Sequence, residues 1–226
     1  MIETANLRNI PLFKEFDEPQ LQQIAQTATL RTYHKHEFIV REGDPGGTFY
    51  IILDGSVAVT RVASDGRETI LSILKSNDFF GEMSLFDSSL RSASIKTLSD
   101  VKVGVIDEKA FLDVLERSPK IARYLVTALS QRLRAANQLI AATTSQDIRA
   151  RLASLLLNLS QSFGEKAENG VKITLRLTNQ EMANMIGTTR ETVNRTLNRF
   201  WDEKLIDMRT SHVIVVEPDK LRSLIP

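Results

Sequence analysis

Between Ser118 and Thr144 the positions Ala122, Val126, Leu129, Leu133, Ala136, Ile140 and Thr143 recur alternately four and three residues apart. A stripe that returns every 3.5 residues is the seam of a helix laid along a partner helix, because only another such stripe covers it. Arg123, Gln131, Arg132, Arg134, Asn137 and Gln138 fall off the stripe and meet water in this reading. Pro119 suits the first helical turn, and neither Gly nor Pro follows it before Thr144. A core-facing helix within one monomer would carry a similar stripe. Two alanines and a threonine also make a thin zipper. The pattern therefore predicts a dimer helix, assisted by other surfaces, that joins two unlike modules.

The period changes on either side of this stretch. Residues 7–29 predict a short helical start, with Asp17 capping a helix that carries Leu21, Ile24 and Ala28 on one face. Segments 37–41, 48–53, 55–62, 67–74, 91–97 and 101–106 are short and rich in Val, Ile, Thr, Phe and Tyr. Turn chemistry separates them: EGDPGG (42–47), DG (54–55), SDG (64–66) and SND (76–78). Such spacing implies an antiparallel roll or barrel. Asp107 caps a helix over 107–117.

Past the long helix, residues 145–163 predict a helix with Ile148, Leu152, Leu155, Leu156 and Leu159 inward, then a polar loop over 164–170 and a brief strand from Thr174 to Leu177. Thr178 and Glu181 form a capping box that opens the next helix, and Gly187 allows the positive-φ turn that stops it. Thr189 restarts a second helix with Val193 and Leu197 inward. Arg190, Glu191, Asn194 and Arg195 share its exposed N-terminal face. Two helices joined by a tight Gly-containing turn are a helix-turn-helix, although a small helical domain with a solvated Arg/Glu face has the same spacing. Residues 204–218 read as a β-hairpin wing around Arg209–His212.

Composition narrows the options. The 226 residues suffice for two modest domains, and 29 Lys and Arg against 28 Asp and Glu announce no global affinity for nucleic acid. Any DNA contact must come from a local patch. With no cysteine, disulfides, thiolate nucleophiles, Cys-ligated zinc and iron–sulfur clusters are excluded. Met1 to Phe13 lack the apolar core of a signal peptide, and no apolar run spans a membrane, so a soluble cytoplasmic protein without membrane contact is expected. His34, His36 and His212 are too scattered for a metal site, and His34 and His36 alternate along a strand edge. Neither metal nor haem is expected. Trp201, Met182 and Met185 are expected to pack behind the second helix of the pair. No Ser/His/Asp set, P-loop or HExxH motif appears, so the chain is not read as an enzyme.

One break in the β module has its own chemistry. Phe79 to Phe86 (FFGEMSLF) is followed, after a short link, by Leu90-Arg91-Ser92-Ala93-Ser94. Backbone amides at Gly81–Glu82, the Arg91 fork and the Ser92 hydroxyl suit an anion, and the Glu82 carboxylate suits a sugar hydroxyl. A Glu and an Arg nine apart also occur as a plain surface pair. The stretch FGEMSLFDSSLRSAS, with EGDPGGTFYIILDGSVAV before it, resembles the cyclic-nucleotide-binding β-roll over residues 10–115. The resemblance implies that Arg91 and Ser92 hold a cyclic phosphate, Glu82 and the Gly81 backbone the ribose, and that Ser72 lies near the base.

The segment LTNQEMANMIGTTRETVNRTLNRF resembles the winged helix-turn-helix of the CRP/FNR transcription regulators, so the likeness covers almost the whole chain. It implies an α+β fold: an N-terminal cyclic-nucleotide-binding β-roll (double-stranded jelly roll) at 1–116, a dimerisation helix at 117–144 and a winged helix-turn-helix at 145–226. It implies a homodimeric, allosteric transcription regulator, an activator working with RNA polymerase, on twofold DNA sites with TGTGA-like half-sites. Arg190 and Arg195 would read guanines, Glu191 a cytosine, Asn194 would share that face, and Thr178, Thr188 and Thr189 would touch phosphates. Asn179 stands where relatives often carry a basic residue. In bacterial members a threonine and a following serine or asparagine on the dimer helix contact adenine; here those positions are Ala136 and Asn137. Asn137 keeps an amide for the base, whereas Ala136 offers no hydroxyl. The resemblance implies cyclic AMP as effector first, and the Ala136 departure leaves a related cyclic nucleotide, another effector or an unused pocket open.

Overall fold

The computed structural model describes residues 2–64, 66–87, 89–145, 147–210 and 212–225, with 138, 139 and 141–145 described by their backbone alone. Two compact units emerge, residues up to 62 with 70–134, and 63–69 with 135 onward. The first opens with α1 (Thr4–Arg8), a 3-10 turn (Pro11–Phe13) and α2 (Glu18–Thr27). At the start of α2 the Gln20 amide donates to Asp17 at 2.9 Å and the Asp17 amide to the Gln20 side chain at 3.1 Å, a reciprocal cap.

Next come β1 (Thr29–Tyr33), β2 (Phe38–Val40), β3 (Thr48–Asp54), β4 (Ser56–Val62), β5 (Glu68–Lys75), β6 (Phe79–Phe80), α3 (Met83–Phe86), β7 (Ser94–Thr97) and β8 (Val101–Asp107). The strands form two four-stranded sheets, ordered β1-β8-β3-β6 and β2-β7-β4-β5. Alternation along β3 ties the layers together, since successive strand residues face opposite sides. Tyr50 and Ile52 join Val57, Leu74, Phe80, Ile95 and Val103 in a core drawn from both sheets. Phe49 and Ile51 join Phe13, Ile24, Phe79 and Ile121 in a second core under the helices. There Phe49 stacks on Phe111 at 4.0 Å between ring centroids.

The β-roll leads into α4 (Glu108–Arg117), capped by Asp107, and then α5 (Pro119–Ser145). Helix α5 has two apolar faces. Ile121 and Leu125 are buried in the helical core with Tyr124 and Ala128 against them, while Val126, Leu133 and Ile140 are 64%, 62% and 63% exposed. The core-facing reading therefore holds for one face of α5, and the seam positions Val126, Leu133 and Ile140 lie on another, exposed face. The Thr143 seam position and Gln138 lie outside the described side chains.

In the second unit, Asp147 caps α6 (Ile148–Phe163), which buries Leu152, Leu155, Leu156 and Leu159 while Ile148 is half-buried. Then follow β9 (Gly164–Ala167), β10 (Gly170–Ile173), α7 (Asn179–Ile186), α8 (Arg190–Asp202), β11 (Ile206–Asp207), β12 (Ile214–Val215) and α9 (Pro218–Arg222). The sheet order is β11-β12-β10-β9, so the wing hairpin extends a sheet begun before the helix pair.

Several expectations need correction. The single helical start over 7–29 is three short pieces beginning at Thr4, and Thr29 already belongs to β1, an edge strand the pattern missed. The strand expected over 91–97 is regular only from Ser94, because the Arg91 backbone bonds to the 42–47 turn instead. The polar loop expected over 164–170 is β9 with its turn, and the strand expected at Thr174–Leu177 sits earlier, at Gly170–Ile173. Gly170, at φ +142, starts the return strand of this tight hairpin. His34 and His36 lie in the turn after β1 rather than along a strand. Trp201 is 43% exposed, not packed behind α8; Phe200, fully buried, holds that place.

Candidate effector cradle and nucleic-acid interface

The cradle is built where β6 ends. Gly81 turns at φ +87, and a Cβ there would sit 2.7 Å from Arg91 Nη1 and 2.8 Å from the Thr48 carbonyl oxygen. Only glycine fits that approach. Arg91 is held by its backbone to the glycine turn: its N–H donates to Asp44 and its carbonyl accepts from Gly43, both at 2.9 Å. The residue is only 5% exposed. Nη1 donates to the Gly81 carbonyl at 3.1 Å and the Ser84 hydroxyl at 3.0 Å, and Nη2 to the Thr48 carbonyl at 2.9 Å and hydroxyl at 2.6 Å. These four acceptors are neutral, and among the described residues the buried Nε has no acceptor. A buried cation ringed by neutral groups keeps much of its desolvation cost, which an anion would relieve.

Glu82 follows Gly81 and is 4% exposed. Its carboxylate accepts from Arg132 Nη1 at 3.0 Å, and Arg132 Nη2 donates to the Phe79 carbonyl. The Arg132 guanidinium also lies 4.5 Å from the Phe79 ring centroid. Arg132, expected to meet water, is only a third exposed on its side chain because it reaches back to Glu82. The overlooked signal is that Ile121, Leu125, Ala128 and Arg132 are spaced four, three and four, so Arg132 shares the core-facing side of α5. Ser92 is exposed, its hydroxyl 3.5 Å from the Met83 sulfur. Gly81, Glu82, Arg91 and Ser92 thus line one loop-and-turn region. Ser72 is half-buried on β5 and Asn137 exposed on α5; the hydrogen bonds of this set include neither.

In the second unit the helix pair is fixed by local chemistry. The Thr178 hydroxyl accepts from the Glu181 amide at 3.1 Å, and the Thr178 amide donates to the Glu181 carboxylate at 2.6 Å. Gly187, at φ 66 and ψ 50, ends α7, and both it and Thr188 donate to the Ala183 carbonyl. Arg151 on α6 donates to the Ile186 carbonyl at 2.6 Å, placing a positive charge at the C-terminus of α7. Thr189 caps α8 by accepting from the Thr192 amide at 3.3 Å.

Beneath α8, Val193, Leu197 and Phe200 are buried; above it, Arg190, Glu191, Asn194 and Arg195 are all exposed. Thr178 and Thr189 are exposed and Thr188 half-buried. The Glu191 backbone N–H and the Thr189 hydroxyl, helped by Arg190, hold the Glu191 carboxyl below its ordinary pKa, so it is an ionised acceptor at neutral pH. In the wing, Arg209 grips Asp207 through Nε at 2.9 Å and Nη2 at 2.6 Å. The His212 ring accepts from Arg176 at 3.2 Å.

One chain thus joins a β-roll with a buried arginine to a helix-turn-helix with charged outer residues, the build of a DNA-binding regulator. Residues 30–118 match the cyclic nucleotide-binding domain and residues 150–224 the Crp-like helix-turn-helix domain. The CRP-like cAMP-activated global transcriptional regulator of Mycobacterium tuberculosis is 35% identical over 183 residues, 81% of this chain and 82% of that one. The cAMP-activated global transcriptional regulator CRP of Pasteurella multocida is 32% identical over 199 residues, 88% of this chain and 95% of that one. Among solved structures, the c-di-GMP responsive global regulator CLP of Xanthomonas campestris matches at 26% identity and a TM-score of 0.77, covering 88% of this chain and 99% of that one. The chain belongs to the CRP/FNR family: it is a transcription regulator with a cyclic-nucleotide-binding domain and a DNA-binding helix-turn-helix domain. Among the described residues no helix is long and apolar enough to cross a membrane, and no group of three or more His, Asp or Glu could hold a metal ion.

Proposed function

We propose that this regulator works as a cytoplasmic homodimer whose affinity for twofold DNA sites is raised by a cyclic nucleotide, cyclic AMP first, bound in the β-roll. The observation that carries the reading is the buried Arg91 guanidinium, whose acceptors among the described residues are all neutral and whose Nε has none there. In this account Arg91 and Ser92 take the cyclic phosphate, Glu82 and the Gly81 backbone the ribose, and Ser72 and Asn137 the base. Arg132 ties Glu82 to α5, so a ligand drawing on Glu82 changes the hold of the cradle on the dimer helix. Exposed Val126 and Leu133, seven apart on α5, supply the seam between copies.

Arg190, Glu191, Asn194 and Arg195 then read base edges in TGTGA-like half-sites about one helical turn apart, with Thr178, Thr188 and Thr189 on phosphates. Activation through RNA polymerase and the absence of catalysis follow the family pattern. A second reading, with a different effector or none, is favoured by Ala136, which lacks the hydroxyl that relatives turn toward adenine. An unpaired base edge costs about 1–3 kcal/mol.

Calorimetry separates the two. Cyclic AMP, cyclic GMP and c-di-GMP are titrated into the full chain and into Arg91→Gln. Heat with cyclic AMP, lost in the variant, is expected. No heat with cyclic AMP moves the choice to the second reading, and equal binding by the variant removes Arg91 from the site.

A further inference from the structure

We infer that Asn179 fixes the side-chain amide of Asn194, making Asn194 a donor that disfavours cytosine at one position of the half-site. The inference deepens the DNA-binding reading above and rests on it. Asn179 opens α7 and Asn194 lies on the exposed side of α8, and the Asn179 Nδ2 donates to the Asn194 Oδ1 at 3.2 Å across the pair. Asn194 is four residues beyond Arg190 and three beyond Glu191, so it shares their face.

An unheld asparagine carries an acceptor at one end and two donors at the other, and can present either to a base. With Oδ1 turned toward Asn179, the end directed away from it is Nδ2 with its hydrogens. In the major groove that end is matched by guanine N7 and O6, adenine N7 or thymine O4, whereas cytosine presents an amino donor. The device therefore rejects cytosine at one position. It also gives Asn179 a role that a phosphate-binding basic residue at this position would not have.

The arrangement makes an unusual forecast for Asn179→Asp. A carboxylate only accepts, so Asn194 must turn its Nδ2 toward residue 179 and present Oδ1 outward. That oxygen accepts from cytosine N4 or adenine N6. An acidic residue in the first turn of a helix suits the fold.

The test uses the full chain, in the presence of whichever effector promotes binding, on a duplex pool randomised through one half-site. Affinities are then measured for the four bases at the position that responds. Wild type is expected to disfavour cytosine there by about tenfold, the scale of a single base-edge contact. Asn194→Ala should flatten that position alone, and Asn179→Asp should turn the preference toward cytosine or adenine. Unchanged base preferences in both variants would overturn the inference, as would a loss for Asn194→Ala that is equal on every sequence. If wild type itself shows no preference among duplexes, the DNA-reading account fails first and takes this one with it.

Discussion

Replacing Arg132 by Ala should destabilise the first unit through the carboxylate it leaves behind. The Arg132–Glu82 contact is 3.0 Å between atoms, with Glu82 only 5% exposed on its side chain and Arg132 33%. Two unit charges about 4 Å apart attract by about 4 kcal/mol at an effective dielectric of 20. Desolvation of Glu82 and the exposed third of Arg132 offset much of that, leaving a coupling of about 1–3 kcal/mol. Loss of the Phe79 carbonyl bond and of the ring contact adds about 1 kcal/mol, so Arg132→Ala should cost about 2–4 kcal/mol in all. Adding Glu82→Gln to Arg132→Ala removes the stranded charge and should recover most of the coupling. Urea denaturation of wild type, the two single variants and the double variant, followed by circular dichroism, measures the cycle. A coupling below about 0.5 kcal/mol would refute the reasoning, because it would mean that Glu82 does not need Arg132.

Other consequences are open to direct measurement. Leu133→Glu places a charge on the exposed α5 stripe and should weaken self-association at least about a hundredfold, as read by sedimentation equilibrium, since each buried leucine contributes about 1.5–3 kcal/mol; an unchanged dimer would remove this face from the interface. Arg190→Ala should lower affinity by about 1–3 kcal/mol and relax one base preference; a loss equal on all duplexes would make Arg190 a phosphate contact instead. His212 has its pKa lowered from the ordinary 6.5 by burial, then by the Lys172 and Arg176 cations, with Glu165 acting in opposition. The unfolded chain gains this proton as pH falls through 6.5 while the folded wing resists it, so its stabilisation is full above that pH and declines below. Thermal melts of wild type and His212→Gln between pH 7.5 and 5.5 should diverge toward the acid end, and parallel curves would contradict this.

Features written in local chemistry were legible in the chain. The caps at Asp17, Asp107 and Thr178, the αL glycine at Gly187 and the inward faces of α6 and α8 depend on residues a few positions apart, and each stands where the pattern placed it. Features decided by distant partners were not. β1 carries polar, exposed residues, and its pairing with β8 some 70 positions on is what makes it a strand. Trp201 is expected behind α8, but Phe200 takes the inward direction and its neighbour is turned out. In the cradle, Gly81, Glu82, Arg91 and Ser92 were visible as a motif. The neutral acceptors around Arg91 were not, because Thr48 comes from β3 and nothing in the spacing turns the Gly81 carbonyl and the Ser84 hydroxyl of the motif onto the guanidinium. Arg132 lies on the core-facing stripe of α5, which the spacing of the seam positions does not mark.

The central claim is that a nucleotide held by the β-roll sets DNA affinity. Its most direct test is the fluorescence anisotropy of a labelled duplex bearing two TGTGA-like half-sites, titrated with the full chain with and without saturating cyclic AMP. Coupling between such sites is typically about 5–150-fold, so binding should tighten within that range and the gain should vanish in Arg91→Gln. The same dissociation constant with and without the nucleotide would contradict the account.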